Sequence, residues 1–238
     1  MADFRERTQL LIGDRALKRI QQCRVFVAGL GGVGGYAVEA LVRAGVEQLT
    51  LLDADTVSIS NINRQLIALH STVGRKKTQL TRERILDINP DCKVILKEAF
   101  VTKAIMPAIL DEDYDVIVDA IDVFNCKLAF LRYAYHRTAR LYSSMGAGNR
   151  IDPSSIKTGD LFQSRHCRLA KVLRKKLRSS GISSGIKAVW SEELARAPGL
   201  LEEEGNRRTI NASISTIPGI FGLTLAGMVL EDLIRSKG

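Results

Sequence analysis

The feature that most constrains this chain is a run of glycines between a predicted strand and a predicted helix. The segment reads VFVAGLGGVGGYAVEAL and contains the spacing G-x-G-x-x-G at Gly29, Gly31 and Gly34, with two further glycines, Gly32 and Gly35. Glycines let such a turn adopt unusual dihedral angles and let phosphates approach the backbone at a helix N-terminus. Asp53 ends the next predicted strand, where a carboxylate can accept hydrogen bonds from ribose hydroxyls. The pattern predicts a nucleotide cradle, and the alternative is a tight turn that only packs helix on strand.

Strand and helix patterns alternate through the first two thirds of the chain. The predicted strands are 24–29, 48–53, 92–98, 114–121 and 139–144, and the helices between them are 34–44, 76–88, 103–110 and 125–137. This alternation predicts an α/β protein with a doubly wound, Rossmann-like, mostly parallel sheet and a C-terminal strand-helix extension. We expect one domain, with a nucleotide-binding core over 1–145 and an extension over 146–238. An amphipathic helix over 9–22 and a mobile loop over 191–211 complete the prediction.

Composition narrows the class of protein further. With 238 residues, 45% of them hydrophobic, the chain can bury a sizeable core without a disulfide or metal staple. Its four cysteines form no C-x-x-C pair, so we expect no zinc site and a reducing, cytoplasmic environment. The apolar segment 214–234 is interrupted by Pro218 and polar residues, which favours a buried helix over a membrane span. The net charge of +9 favours a polyanionic partner, although many basic proteins bind no nucleic acid.

The residues after Asp53 distinguish between two kinds of nucleotide. The segments DTVSISNINRQ and VGRKK supply Asn61, Arg64 and Lys77. Arginine and lysine neutralise phosphate charge and stabilise the transition state of phosphoryl or adenylyl transfer. A dehydrogenase that binds NAD has no use for this set, so the pattern favours ATP. The alternative is a solvated basic loop.

These motifs resemble those of the ubiquitin-activating-enzyme superfamily, the ThiF-like adenylating enzymes. The matching positions are Asp53, Asn61, Arg64, Gln65 and Lys77. The segment VDAIDVFNCK is similar to the family's D-A-x-D-N-x-x-x-R/K, and the resemblance implies that Asp122 holds Mg²⁺ against the triphosphate of ATP. Val123 stands where the family has asparagine, which leaves the adenine and ribose contacts nearby open. Asp119 is the rival metal ligand, and we interpret it as structural because it lies inside a buried strand.

The N-terminal segment FRERTQLLIG is similar to the superfamily's arginine-bearing segment, which reaches into the ATP site of the neighbouring protomer. The resemblance therefore implies a homodimer. Arg7 is the best match for the arginine that acts in trans, and Arg5 is the alternative.

The second half of the chain resembles one branch of the superfamily, the tRNA threonylcarbamoyladenosine dehydratases. The matching segments are 145–162, 168–182, 187–193 and 211–234. The resemblance implies adenylation of the threonyl carboxylate on a modified adenosine beside the anticodon of tRNA, then ring closure with loss of one water and release of AMP. The nucleophile belongs to the substrate, with an effective molarity on the order of 10⁵ M or more, so no enzyme thiol is needed. Cys167 is accordingly interpreted as an inert filler rather than a nucleophile.

Other functions stay open at this point. The main alternative is an adenylyltransferase that activates the C-terminus of a ubiquitin-like sulfur-carrier protein, and another is a non-catalytic nucleotide-binding partner. A cysteine desulfurase or sulfur acceptor as an additional partner is also open, as is the ring form of the product.

The segment RLAKVLRKKLR predicts a basic amphipathic helix. One face carries Arg168, Lys171, Lys175 and Arg178, and the other carries Leu169, Val172, Leu173 and Leu177. We expect the basic face to contact tRNA phosphates, and the alternative is an ordinary solvated face. Candidates for stacking on a base are Tyr36, Tyr142, Phe162 and Trp190.

Overall fold

A seven-stranded sheet forms the centre of the protein. A computed structural model describes residues 3–110, 112–203 and 206–236. The strands are β1 (Arg24–Ala28), β2 (Gln48–Leu52), β3 (Lys93–Lys97), β4 (Val116–Asp119), β5 (Arg140–Ser144), β6 (Ile156–Asp160) and β7 (Ile186–Ser191). Their order is β3-β2-β1-β4-β5-β7-β6, and every neighbouring pair is parallel except the antiparallel pair β6–β7. The predicted doubly wound, mostly parallel α/β fold is confirmed.

Helices cover both faces of this sheet. They are α1 (Glu6–Ile12), α2 (Asp14–Gln22), α3 (Gly34–Arg43), α4 (Lys77–Ile88), α5 (Met106–Ile109), α6 (Phe124–Ala134), α7 (Arg168–Arg178) and α8 (Thr216–Arg235). The helices α2, α3 and α8 contribute to the core on one face, and α5, α6 and α7 to the core on the other. Because both faces are covered, β1 and β4 are buried almost throughout, which explains their continuous apolar sequences.

Three predictions of local structure were wrong. The single helix over 9–22 is two helices, α1 and α2, because Gly13 between them has φ +79° and ends the first. The segment 191–211, predicted as a mobile loop, contains an antiparallel hairpin of β8 (Gly199–Glu203) and β9 (Asn206–Ile210). Val172, assigned to the apolar face of α7, is 44% exposed, since it lies four residues after Arg168 and so on the same side of the helix.

The predicted C-terminal helix is observed as α8, which packs against α2, α3, β5 and β7. It is long and apolar enough to cross a membrane, but half of its most apolar window is buried inside the protein. Its buried residues include Phe221, Leu225 and Val229. The segment therefore supplies core to this fold, as its interrupted apolar sequence predicted.

Gly222 of α8 lies so close to α3 that no side chain fits. A Cβ at this position would stand 2.2 Å from the carbonyl oxygen of Val33 and 2.8 Å from the Cβ of Tyr36. Because the nearest neighbour is backbone, we expect Gly222→Ala to lower the free energy of unfolding by about 1–3 kcal/mol, the usual effect of overpacking. Urea unfolding measures this loss.

Gly227, on the same helix, provides the matched control. It is exposed, and a Cβ there would have no atom within 4 Å. Gly227→Ala should raise the free energy of unfolding by about 0.5–1 kcal/mol through helix propensity alone. Equal losses at both positions would contradict the packing explanation.

Candidate nucleotide site

Four segments meet beyond the carboxyl ends of β1, β2 and β4. They are 29–34, 53–55, 60–77 and 119–122, and they contain all but one of the site residues predicted from the sequence. In the strand order β1 lies between β2 and β4, so the chain turns in opposite directions on either side of it. Open α/β sheets bind ligands at such a switch point. The fold thus brings the predicted residues to the edge where a ligand is expected.

The glycine loop begins with a turn that only glycine can form. Gly29 has φ +88°, and its N–H donates to the carbonyl of Leu52 over 2.8 Å. A Cβ on Gly29 would stand 2.7 Å from the carbonyl oxygen of Ala120, and one on Gly34 would stand 1.8 Å from the carbonyl oxygen of Gly29. The loop therefore lies directly against the backbone after β4 and leads into the N-terminus of α3.

Asp53 accepts a hydrogen bond from the neighbouring glycine loop. Its Oδ2 accepts a hydrogen bond from the N–H of Leu30 at 2.7 Å, and its Oδ1 accepts one from the N–H of Asp55 at 2.8 Å. Burial raises the pKa of Asp53, while the ammonium of Lys77 and these two hydrogen bonds act against the rise. The carboxylate thus fixes the glycine loop, and its oxygens retain lone pairs for further hydrogen bonds.

Lys77 is the first residue of α4 and is 6% exposed. Its Nζ lies 2.7 Å from Oδ2 of Asp55, whose side chain is 55% exposed. Asp55 was not assigned a role from the sequence, although it stands in the same D-A-D string as Asp53. Asn61 is also buried, and its Oδ1 accepts a hydrogen bond from the N–H of Ser58 at 3.2 Å. This bond shapes the turn that carries the following arginine.

Arg64 packs across the glycine loop. Its Nη1 donates to the carbonyl of Ser60 at 3.0 Å and to Oδ1 of Asn63 at 2.9 Å. Its Cγ would lie 3.3 Å from a Cβ on Gly32, so the aliphatic part of the side chain covers that glycine. The guanidinium is therefore held beside the cradle by its own turn.

Gln65 adds an unpaired acceptor to the same wall. It is 7% exposed, its Nε2 would lie 3.7 Å from a Cβ on Gly31, and within the described residues its buried Oε1 has no hydrogen-bond partner. Buried polar atoms are nearly always satisfied. An occupant of the cradle with a hydrogen-bond donor would remove this exception.

A buried ion pair holds the segment that carries Asp122. Nζ of Lys127 lies 2.6 Å from Oδ2 of Asp119, and both side chains are fully buried. The same Nζ donates to the carbonyl of Ile121 at 3.1 Å, and Oδ1 of Asp119 accepts from the N–H of Ile121 at 3.1 Å. The Oγ of Ser143 also donates to Asp119. Asp119 is structural, as interpreted from the sequence, while Asp122 is exposed at the site.

The two N-terminal arginines, Arg5 just before α1 and Arg7 within it, lie away from this edge. Arg5 pairs with Asp3 and with Glu47, which precedes β2 and so lies at the amino edge of the sheet. The hydrogen bond that the guanidinium of Arg5 donates to the carboxylate of Asp3 is the main cause that raises the pKa of Arg5. Arg7 is exposed and makes no ion pair within the described part of the chain. Arg7, the remaining predicted site residue, does not join the others within one protomer.

Three of the residues considered as functional candidates from the sequence are buried in the core. Cys167 immediately precedes α7, is 4% exposed and belongs to the core, so its thiol is not presented to a substrate. Tyr142 is fully buried and Trp190 is 5% exposed, so neither ring can stack on a base. The last two were wrong as candidates, because sequence alone does not separate a core aromatic from a surface one.

The loops beyond β5 form a further wall, and its residues Asn149 and Arg150 have no role predicted from the sequence. Asn149 accepts a hydrogen bond from the N–H of Ala212 at 2.8 Å. The guanidinium of Arg150, 6% exposed, donates to the carbonyls of Gly146 at 2.6 Å and Glu193 at 3.2 Å. Its partners are backbone carbonyls, which leave no sequence signal. The wall therefore carries a buried positive charge with no carboxylate bonded to it within the described structure.

A family model described as the ThiF family matches residues 5–236. The chain belongs to the ThiF family. The candidate site just described thus lies in a ThiF-family fold.

Relatives of this ThiF-family chain separate into two groups. A Bacillus subtilis protein named tRNA threonylcarbamoyladenosine dehydratase is 36% identical over 241 residues, covering 96% of this chain and 94% of its own. The Escherichia coli dehydratase TcdA, solved in complex with ATP, superposes with a TM-score of 0.88 at 32% identity, covering 97% of this chain and 93% of its own. By contrast, the molybdopterin-synthase adenylyltransferase of E. coli is 40% identical over only 110 residues, or 46% of this chain and 43% of its own.

The buried pair of Asp119 and Lys127 gives a testable prediction for this ThiF-family site. Lys127→Met leaves a buried carboxylate without its counter-charge, so we expect a loss of about 3–5 kcal/mol in the free energy of unfolding. The double variant Asp119→Asn with Lys127→Met removes both charges and should lose less than the sum of the single variants. Urea unfolding of all three variants gives the coupling energy, and additive losses would contradict the pairing.

Proposed function

We propose that this protein is an ATP-dependent tRNA threonylcarbamoyladenosine dehydratase. The observation that carries the proposal is the extent of the match: two relatives of that name, from B. subtilis and E. coli, cover 96% and 97% of this chain. Three molybdopterin-synthase adenylyltransferases match shorter parts of it, from 46% to 63%. The second half contributes the Asn149–Arg150 wall, which would select the substrate, while the first half contributes the nucleotide cradle.

The residues at the cradle fit a nucleoside triphosphate. The backbone of residues 29–34 would hold the phosphates, and Asp53 the ribose, with Asn61 shaping the turn nearby. Arg64 and Lys77 would neutralise phosphate charge and stabilise the transition state of adenylyl transfer. Asp122 is an exposed carboxylate at the rim, which fits Mg²⁺ because that ion combines one or two carboxylates with phosphate oxygens. When bound there, Mg²⁺ would offset charge on the departing pyrophosphate.

The chemistry then needs two displacements. A threonyl carboxylate oxygen attacks the α-phosphorus of ATP, and pyrophosphate leaves. The carbamoyl group of the same nucleoside attacks the activated acyl carbon and loses a proton, and AMP leaves with the former carboxylate oxygen. The nucleoside has lost the elements of one water. Since the second nucleophile is intramolecular, the buried position of Cys167 is compatible with activity.

A homodimer would complete the site. The helix α1 buries none of its seven residues, and its exposed surface includes Leu10 at 82% and Leu11 at 85%. A second protomer would cover these side chains. Arg7 of each protomer would then reach the cradle of the other. Arg5 is held by Asp3 and Glu47 of its own chain, which favours Arg7 as the residue that acts in trans. We place the enzyme in the cytoplasm, where its substrate would be found.

The proposal is tested with threonylcarbamoylated tRNA, ATP, Mg²⁺ and the purified protein. We expect mass spectrometry of the nucleosides to show the loss of one water from the modified adenosine, with one AMP formed per event. An unchanged tRNA would refute the proposal. If a sulfur carrier with a Gly-Gly tail were adenylated instead, the protein would be a carrier-activating enzyme.

A mixing experiment tests the role of Arg7. Arg7→Ala and Asp122→Ala should each lower activity by about 100-fold or more, since each removes a charge that acts on the phosphates. An equal mixture should recover about a quarter of wild-type activity, because half of the dimers would contain one intact site. Arg15→Ala, an exposed arginine of α2, serves as the control and should stay active. If well-folded mixed dimers formed but activity did not recover, action of Arg7 in trans would be excluded.

A further inference from the structure

The surface of α7 carries more charge than the nucleotide site can use. Six of its eleven residues are basic and none is acidic. Five of the six are exposed: Arg168, Lys171, Lys175, Lys176 and Arg178. None of these five forms an ion pair with any residue that the structure describes. The helix therefore presents a continuous, uncompensated positive surface.

Helix stability does not account for this surface. Cations in the last turn, such as Lys175 and Arg178, interact favourably with the helix dipole. Arg168 and Lys171 stand in the first turn, where the dipole opposes positive charge. Lys171 and Lys175 also lie four residues apart, a spacing at which like charges repel. A bound polyanion would relieve both effects.

The direction of α7 connects it to the nucleotide site. Its first turn lies at the site edge, because Leu169 would lie 3.8 Å from a Cβ on Gly146, just beyond the carboxyl end of β5. After α7 the chain enters β7, which is parallel to β5 and so begins at the opposite edge. Eleven helical residues span about 16 Å. The cations thus form a line that starts beside the site and runs away from it.

We propose that α7 binds the phosphate backbone of the tRNA stem that adjoins the modified adenosine. This inference rests on the proposed function and gives it a direction: the adenosine enters the site while the stem follows α7. An acidic protein is the less suitable partner, because protein interfaces are anchored by buried apolar and aromatic side chains. On the exposed face of α7 the one large apolar side chain is Val172.

The test compares two charge-reversed double variants. Lys171→Glu with Lys175→Glu alters the proposed surface. Lys18→Glu with Lys93→Glu alters two exposed lysines that lack ion pairs within the described residues and lie near the amino edge of the sheet. For each we would measure the Kd of the whole tRNA against salt concentration, with and without the threonylcarbamoyl group. We would also measure the Kd of ATP, the melting temperature and the kcat and KM of dehydration.

We expect the α7 variant to weaken tRNA binding at least tenfold for both forms of the tRNA and to raise the KM for tRNA. The slope of the logarithm of the binding constant against the logarithm of salt concentration should become less negative by about two, one for each lost phosphate contact. ATP binding, melting temperature and kcat should stay unchanged, and the control variant should match wild type within about twofold. The same tRNA affinity and salt slope in the α7 variant as in wild type would overturn the inference. A variant that lost affinity for an acidic protein partner but not for tRNA would also overturn it. Binding through α7 without dehydration by wild type would instead refute the proposed function and leave this inference standing.

Discussion

The contact between the Gly29 turn and the backbone of Ala120 is the constraint on which the rest of the site depends. It joins the ends of two parallel strands so closely that a Cβ would stand 2.7 Å from a carbonyl oxygen. The N–H of Ala120 in turn donates to the carbonyl of Ala28 at 2.8 Å. This contact sets where the helix N-terminus of α3 points and where the segment bearing Asp122 begins.

The buried pair of Asp119 and Lys127 holds in place the backbone after β4, which is one of the two partners in that contact. Removing two charges from water costs several kcal/mol per ion, so such a pair is a weak source of stability. Here the pair holds both the N–H and the carbonyl of Ile121, the residue before Asp122. Its effect is to fix a short loop that has no strand or helix geometry of its own. Conformational definition, rather than stability, is the property that this pair supplies.

The fold was predictable because a covered parallel sheet imposes continuous apolar strands and amphipathic helices on the sequence. The errors have local causes. The apolar period of α1 and α2 continues across Gly13, whose positive φ is not visible in a hydrophobic pattern. The hairpin of β8 and β9 pairs outside the main sheet, and its strand sequences, GLLEE and NRRTI, show no regular alternation of apolar and polar residues to detect. Periodicity identifies elements whose sequence alternates regularly, and it gives no signal for a hairpin whose strands lack that alternation.

The candidate site was predictable only as far as motifs name charged groups. Spacing identified Lys77 but not its partner Asp55, and it gave no indication of Arg150, whose acceptors are carbonyls from distant loops. The choice of partner for Lys77 has a physical consequence. A buried ammonium needs a counter-charge, and the carboxylate bonded to it is the half-exposed Asp55 rather than the less exposed Asp53. An exposed carboxylate can turn into water at little cost, so a phosphate can replace it without leaving either charge buried and unpaired. The arrangement keeps Lys77 compatible with burial and with phosphate binding at the same position.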